Sequence, residues 1–183
     1  MRMPERRFAG APVVGLLALL AGFGAAPAAE AQRGGQASPT AREFAVKAAQ
    51  GGLAELRLAE LAQARSTNPA VREFAARMIA DHGAANAQLQ QIARAKGIAL
   101  PDQPDAAHQS LVHELESKQG AGFDMGYLET MRRDHDQAIR LFESATAATF
   151  ADPELRGFAI KTLAVIRQHR ELLEKLQVNP GSA

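Results

Sequence analysis

The stretch NPAVREFAARMIADH, residues 68–82, decides the fold because it contains a complete helix start and the beginning of an apolar stripe. Asn68 is a good N-capping residue, a proline occupies the first helical position, and Phe74 follows about one turn later. The same frame, a capping side chain followed by Pro, Arg and Phe-Ala, recurs at Ser38 and Asp152. The sequence therefore predicts three helices that begin in the same way.

These starts, together with the apolar periodicity, predict four long helices. We expect them, in chain order, at about residues 39–65, 69–96, 123–149 and 153–177. Gly97 ends the second helix as a C-cap, and the glycines of Gly120-Ala121-Gly122 precede the third. No strand-like alternation of apolar and polar residues occurs in the sequence, so the chain is expected to be all-α.

The connections predict how the helices are arranged. Residues 66–67 join the first pair, and a similarly short turn near Ala151 joins the second, so each pair is an antiparallel hairpin. Residues 98–119 form a long crossover with a short amphipathic helix near 105–117. Two hairpins joined by one long crossover are typical of a ferritin-like antiparallel four-helix bundle, which is the fold we expect.

The first thirty-one residues have the pattern of a secretory signal peptide. A basic start is followed by the apolar run at residues 11–26 and by Ala29-Glu30-Ala31, where we expect cleavage. A retained membrane anchor is the competing interpretation, but the run is short and interrupted by glycines. We divide the chain into the signal at 1–31, a flexible mature N-terminus at 32–38, the bundle at 39–177 and a disordered tail at 178–183. The expected location is periplasmic or secreted, with outer-membrane association left open.

The composition excludes several classes of function. The chain has 183 residues, enough for one domain besides a targeting segment, and 46 % of them are hydrophobic. The formal net charge is +1, so no basic field favours nucleic acid as a partner. The absence of cysteine excludes disulfides, thiolate metal sites and thiol nucleophiles. Any metal must therefore be held by nitrogen and oxygen.

Each long helix presents one side chain able to bind a metal, near the middle of its inward stripe. These residues are Glu55, His82, His135 and His169. A carboxylate in a bundle core is costly unless it is paired, and three imidazoles with one carboxylate suit Zn or Fe. We therefore predict that these four residues bind a single transition-metal ion. The alternative is a hydrogen-bonded Glu–His cluster that fixes the helix register without metal and leaves the protein with no cofactor.

Four further residues are predicted to orient these ligands. Asp81 and Asp134 each precede a histidine in a shared frame, Met-x-x-Asp-His-x-x-Ala. Asp124 and Tyr127 lie near the start of the third long helix. A solvent-exposed position is an equally good interpretation for the two aspartates, because neighbouring helix positions are about 100° apart.

Three other features of the sequence bear on the site. His108 and His113 lie in the crossover helix, and we expect both at the surface. The glycine pair at residues 51–52 lies in the middle of the first helix, where glycine costs stability. This pair predicts either a close approach of two helices beside Glu55 or a simple kink.

The quoted motifs resemble a known family. They are Phe44, Gly51-Gly52-x-x-Glu55, Val71-x-x-Phe74-Ala75-x-x-Met78-Ile79-x-Asp81-His82, Phe123-Asp124-x-x-Tyr127, His135, Leu163 and His169. With them the chain resembles the exported bacterial family called domain of unknown function 4142, over residues 40–177. The resemblance implies a ferritin-like fold and a periplasmic or outer-membrane label, and it implies no settled activity.

The comparison with di-iron ferritin-like proteins shows what is missing. Their sites use a Glu-x-x-His pair on each of two helices, whereas Ile79 and Ile166 stand three residues before the corresponding histidines here. Ferroxidase chemistry is therefore not expected. Nucleophile motifs and phosphate-binding loops are also missing, so we assign no catalytic residue and do not expect an enzyme.

Two functions remain open at this stage. The first is an exported bundle that binds one metal ion, in metal handling or envelope stress response. The alternative is a metal-free structural or interaction bundle with another envelope protein as its partner. The sequence leaves the oligomeric state open.

Overall fold

The computed structural model describes residues 39–176. The predicted signal peptide at 1–31, the N-terminal segment at 32–38 and the tail at 178–183 lie outside the described residues. The described part is built from five α-helices and contains no strand. Their bounds are α1 Pro39–Arg65, α2 Pro69–Ala95, α3 Ala106–Glu116, α4 Gly120–Thr146 and α5 Pro153–Lys175. The prediction of four long helices and one short crossover helix is confirmed.

Local capping explains where three helices begin. The Asn68 side chain accepts a hydrogen bond from the backbone N–H of Ala70 at the start of α2. Asp152 accepts from the N–H groups of Glu154 and Leu155 at the start of α5, and Asp105 caps α3. These side chains satisfy N–H groups that have no partner within their own helix, so the chain enters each helix at a defined residue.

The end of α2 shows why Gly97 is needed there. Its φ is +61°, in the left-handed region that glycine adopts without strain. The Ile98 N–H donates to the carbonyl of Ala93, and the Gly97 N–H donates to the carbonyl of Arg94. This pair of bonds is a Schellman motif, which terminates α2 as the sequence predicts.

The third long helix, α4, differs from its prediction. It begins at Gly120 rather than at residue 123, and it ends at Thr146 rather than at residue 149. Gln119 precedes it without making a side-chain capping bond, and Gly120 has a φ of +53°. The start was misplaced because no capping side chain marks it and two glycines near a helix start normally indicate a turn.

The helices form a four-helix bundle with α3 packed along one side. α1 contacts α2 and α4, α5 contacts α4 and α2, and α3 lies against α1 and α4. The short α1–α2 and α4–α5 connections make two antiparallel hairpins, and the crossover that contains α3 joins them. This is the predicted ferritin-like topology with one long connection.

The apolar core is divided into two clusters by a polar layer. The first cluster contains Phe44, Leu89, Phe142 and Phe158, and the second contains Met78, Tyr127, Met131 and Leu173, among others. On every long helix, the segment between the two clusters holds the predicted metal-binding side chain. The site therefore lies at mid-height in the bundle, with apolar packing above and below it.

The outer surface of the bundle carries few large apolar side chains. Among the described residues, the exposed large hydrophobic side chains are Met125 and Ile160, on different helices. Within residues 39–176, no helix combines the length and the apolar character that crossing a membrane requires.

Candidate metal centre

The four predicted ligands are all buried in the layer between the two core clusters. Glu55 is 4 % exposed and His82 is 7 % exposed, while His135 and His169 are at 0 % and 1 %. Each follows the apolar stripe of its helix at three- or four-residue spacing, so packing of the stripe places the polar side chain inside. The structure thus brings together one residue from each of the four long helices.

The three imidazole rings converge. Each offers one nitrogen within 4.8 Å of those offered by the other two. The ring centroids are 5.5 to 5.9 Å apart. The convergent group consists of His82, His135 and His169, and Glu55 is not part of it. The three rings are close enough to share one ion after small side-chain adjustments.

One nitrogen of each ring faces an acceptor. Glu55 places Oε2 3.2 Å from Nδ1 of His82 and Oε1 3.1 Å from Nδ1 of His135. Nδ1 of His135 also lies 2.9 Å from the carbonyl oxygen of Met131, and Nε2 of His169 lies 2.8 Å from Oδ2 of Asp81. Carboxylates and carbonyls only accept, so each favours a proton on the nitrogen that faces it.

The second nitrogen of each ring, which we call the inner nitrogen, faces no such acceptor. Nε2 of His82, Nε2 of His135 and Nδ1 of His169 are buried, and none has a hydrogen-bond partner among residues 39–176. With the proton on the opposite nitrogen, each of these atoms carries a lone pair. The polar layer therefore contains three buried imidazole acceptors that have no donor among the described residues, and Oε1 of Glu55 also has no hydrogen-bond partner there.

The charges in the layer follow from burial and from the Glu55 carboxylate. Burial alone would raise the pKa of Glu55, but His82 and His135 lower it to about 2. Burial lowers the pKa of His82 and of His169. Burial also acts to lower the pKa of His135, but the adjacent Glu55 carboxylate outweighs it and the pKa is raised. Glu55 is thus ionised at neutral pH, and two of the rings favour the neutral form.

The residues predicted to orient the ligands divide into two groups. Asp81 contacts the site through its 2.8 Å hydrogen bond with His169, although its side chain is 40 % exposed. Asp124, Tyr127 and Asp134 are buried, and each has a side-chain oxygen with no partner in the described part of the chain. Asp134 lies 3.5 Å from Arg133 rather than on a histidine. Burial raises the pKa of Asp134 and that of Tyr127, and the charge of Glu55 adds to both shifts.

Of the two crossover histidines, only His113 matches the prediction of a surface position. Its side chain is 80 % exposed. The His108 side chain is 21 % exposed and lines a cavity that reaches the centre. The His108 ring donates a hydrogen bond to the carboxylate of Asp105, the residue that caps α3, and the local apolar pattern of α3 did not indicate this partly buried position.

The two adjacent glycines of α1 have different surroundings. A Cβ on Gly52 would lie 2.2 Å from Oδ1 of Asn86, so the α2 side chain occupies the space that glycine leaves. A Cβ on Gly51 would meet no atom within 4 Å. The close approach predicted beside Glu55 therefore holds for Gly52, and its partner Asn86 had not been singled out in the sequence.

Comparison with known proteins places the chain by family and by fold. A solved structure described as a DUF305 fragment from Deinococcus radiodurans matches with a TM-score of 0.68 and 19 % identity, over 76 % of this chain and 96 % of that one. This likeness supports the helical-bundle fold. No curated protein matches the chain. The family model called domain of unknown function DUF4142 matches residues 26–176. The chain therefore belongs to the DUF4142 family, as its motifs predicted.

Proposed function

We propose that this protein binds one transition-metal ion through His82, His135 and His169. The observation that carries the proposal is the convergence of three buried imidazole rings, each with one nitrogen that has no partner among the described residues. A buried acceptor without a donor costs free energy, and three in one place are rare in a folded protein. A metal cation satisfies all three lone pairs at once.

A metal-free cluster satisfies them less well. One additional proton, carried on the inner nitrogen of His135, supplies a single donor for the lone pairs of His82 and His169. At least one of those nitrogens then needs a further donor, and no side chain of the described residues supplies it. This comparison favours the metal site over the structural cluster.

The geometry supports a different role for Glu55 from the one expected from sequence. Its oxygens contact the Nδ1 atoms of His82 and His135 rather than their Nε2 atoms. We assign it, with Asp81 on His169, to holding the rings in orientation. Carboxylates in this position fix the tautomer and raise the basicity of a ligating histidine.

Three protein nitrogens leave a further coordination position for water or another small ligand. Such an ion supplies Lewis acidity and lowers the pKa of a bound water. Zn, Fe and Cu are all compatible with an imidazole set, since availability and geometry decide between them. Residues 1–31 fit an export signal, so we place this metal binding in the cell envelope, in metal handling or stress response.

The test is metal uptake by His82→Ala and His135→Ala, with His113→Ala as the matched control because that side chain is 80 % exposed. Each protein is loaded with Zn²⁺, dialysed and measured by mass spectrometry, with circular dichroism as the check on folding. We expect both site variants to lose the bound metal while keeping their helical signal, and the control to bind as the unmodified protein does. Undiminished metal in both site variants would refute the proposal and favour the interaction-bundle alternative.

A further inference from the structure

The polar layer is packed differently on its two sides. Towards the second core cluster, the next inward position on each long helix holds a large, fully buried side chain, and these are Leu58, Met78, Met131 and Leu173. Towards the first cluster, three of the four long helices hold glycine or alanine at the next inward position, namely Gly52, Ala85 and Ala138. Each of the three stands three residues from the polar-layer residue of its own helix. The core is therefore filled on one side of the layer and short of side-chain volume on the other.

A cavity of about 360 Å³ occupies the side that is short of volume. The three small residues line it, together with apolar side chains of the first core cluster that include Leu89, Phe142 and Phe158. Protein interiors have few voids larger than a water molecule, so a space of this size is unusual in a bundle core. Its volume is in the range of small-molecule binding sites.

Gly51 is a further residue of the wall that has no side chain. The neighbouring Gly52 is explained by the Asn86 side chain, which occupies the place of its Cβ, but a Cβ on Gly51 would meet no atom within 4 Å. Glycine in the middle of a helix lowers helix stability relative to alanine. Because helix packing does not require Gly51, we attribute this glycine to the cavity, which a side chain there would narrow.

The charged residues of the wall lie at its edges. Glu55, His82 and Asp134 belong to the polar layer, and Lys47 and Asp105, whose side chains are 57 % and 37 % exposed, lie where the cavity opens to solvent. An ion at the three histidines would add its charge to the polar-layer edge and leave the apolar wall as it is. The body of a ligand therefore faces apolar groups whether or not an ion is bound.

We propose that this cavity binds a small apolar molecule, which enters beside the start of α3 and packs on Phe142 and Phe158. Apolar cavities in proteins bind apolar molecules in preference to water, and the affinity comes from the ligand surface removed from water. The inference goes beyond the proposed function and does not require contact with the ion. Of the three proposed metal ligands, only His82 forms part of the wall.

The test is isothermal titration calorimetry of the full chain with 1-butanol, 1-hexanol and 1-octanol. Each methylene group removed from water strengthens binding about four-fold, so the affinity should rise by about ten-fold or more from each alcohol to the next. The titrations are made once with a chelator present and once with Zn²⁺ added. We expect the affinity for 1-octanol to be the same in both, because the ligand does not touch the ion.

Two variants locate the binding site. Ala85→Leu puts a larger side chain into the wall, and Ala84→Leu is its matched control, because Ala84 is exposed and does not line the cavity. Gly51→Leu fills the cavity from α1 instead, and its first carbon meets no atom. We expect both cavity variants to lose about ten-fold or more in affinity for 1-octanol, since the added side chain takes the place of the ligand. Ala84→Leu should bind it as the unmodified protein does.

The outcomes of these titrations are independent of the metal measurements. An affinity that does not rise with chain length, or that is unchanged in both cavity variants, would overturn the inference. Binding that occurs only with Zn²⁺ would overturn it as well, because the ligand would then depend on the ion. A protein that binds 1-octanol in the cavity and takes up no metal would support the inference and refute the proposed function. If one cavity variant fails to fold by circular dichroism, the other variant and the alcohol series still decide.

Discussion

At the residue scale, each imidazole ring is oriented by the contact between one of its nitrogens and a carboxylate. Glu55 contacts the rings of His82 and His135, at 3.2 and 3.1 Å. Asp81 contacts His169 at 2.8 Å. Removing such a partner leaves the ligand in place but less well oriented and less basic. Glu55 is therefore the residue whose replacement tests how the rings are held.

Glu55→Gln is expected to weaken metal binding by about 10- to 100-fold, the usual cost of losing an orienting partner. The amide keeps the size of the side chain but loses the charge that acts on His82 and His135. Competition with a coloured chelator measures the affinity. Glu60→Gln is the control, because Glu60 lies on the same helix and is paired with Arg57 at the surface. Equal affinities in the two variants would show that Glu55 does not support the ligands.

One added methyl group is expected to have opposite effects on the free energy of unfolding at the two adjacent glycines of α1. Gly51→Ala should raise the free energy of unfolding by about 0.5–1 kcal/mol, because alanine restricts the unfolded chain and finds open space in the folded one. Gly52→Ala should lower it, since its Cβ would lie 2.2 Å from Asn86 Oδ1. Urea denaturation of the two variants measures both. The reverse order would mean that α1 and α2 do not approach as described.

The burial of the four polar residues of the layer could be predicted from sequence, but their hydrogen-bond partners could not. A histidine inside an apolar stripe at helical spacing must face the core, which is a local property of α2, α4 and α5. The hydrogen bond between Asp81 and His169 joins residues 88 positions apart, and it depends on the rotation of two helices about their axes. No local sequence pattern specifies how two helices are rotated about their axes, so this pairing could not be predicted.

At the scale of the element, the start of α5 concentrates several interactions on one side chain. Asp152 accepts hydrogen bonds from the N–H groups of Glu154 and Leu155, and it lies 3.0 Å from Nζ of Lys96 at the end of α2. Burial alone would raise its pKa, but these bonds outweigh burial and lower it. One residue therefore caps α5 and connects it to α2.

Asp152→Ala should lower the free energy of unfolding at neutral pH by about 1–2 kcal/mol, the usual cost of losing an N-cap. Because the pKa is lowered in the folded state, the part of this contribution that depends on the charge is complete above the unfolded pKa of about 3.9 and is lost as the pH falls through the lower pKa of the folded state. Denaturation at pH 7 and at pH 3 measures both effects. Asp102→Ala, at an exposed site in the crossover, is the control. The difference from the unmodified protein should be smaller at pH 3 than at pH 7, and a difference that is undiminished at pH 3 would contradict the assigned role of the charge.

The bounds of the elements followed from the sequence wherever a capping side chain marks them. The predicted bounds of α1 match the structure, α2 ends one residue earlier than predicted, and the predicted start of α5 is correct. The start of α4 was missed because Gly120 begins it without a capping bond from Gln119. Backbone conformation at a glycine leaves little trace in the pattern of side chains.

At the scale of the whole molecule, the polar layer interrupts a core that is otherwise apolar. One apolar cluster lies on each side of it, and every long helix contributes one residue to it. An ion bound there connects three helices, α2, α4 and α5, through one centre. Because the unfolded chain does not hold these side chains together, binding adds to the stability of the fold.

Zn²⁺ at about a hundred times its dissociation constant should therefore raise the free energy of unfolding by about 2.7 kcal/mol. For a domain of this size, that corresponds to an increase of about 5–10 °C in the melting temperature. Thermal denaturation with added metal, and again with a chelator, measures the change. His82→Ala should show no such shift. A melting temperature that is the same with metal and with chelator would favour the metal-free alternative.

The most direct test of the central claim is the metal-to-protein ratio of the purified, untagged chain, measured by mass spectrometry after loading with Zn²⁺ or Fe²⁺ and dialysis. We expect about one equivalent of a single transition metal per chain, held by His82, His135 and His169. Two equivalents of iron would contradict the single-ion site and the absence of a di-iron centre. No retained metal would contradict the claim itself and make the three histidines, with Glu55, a structural cluster of the core.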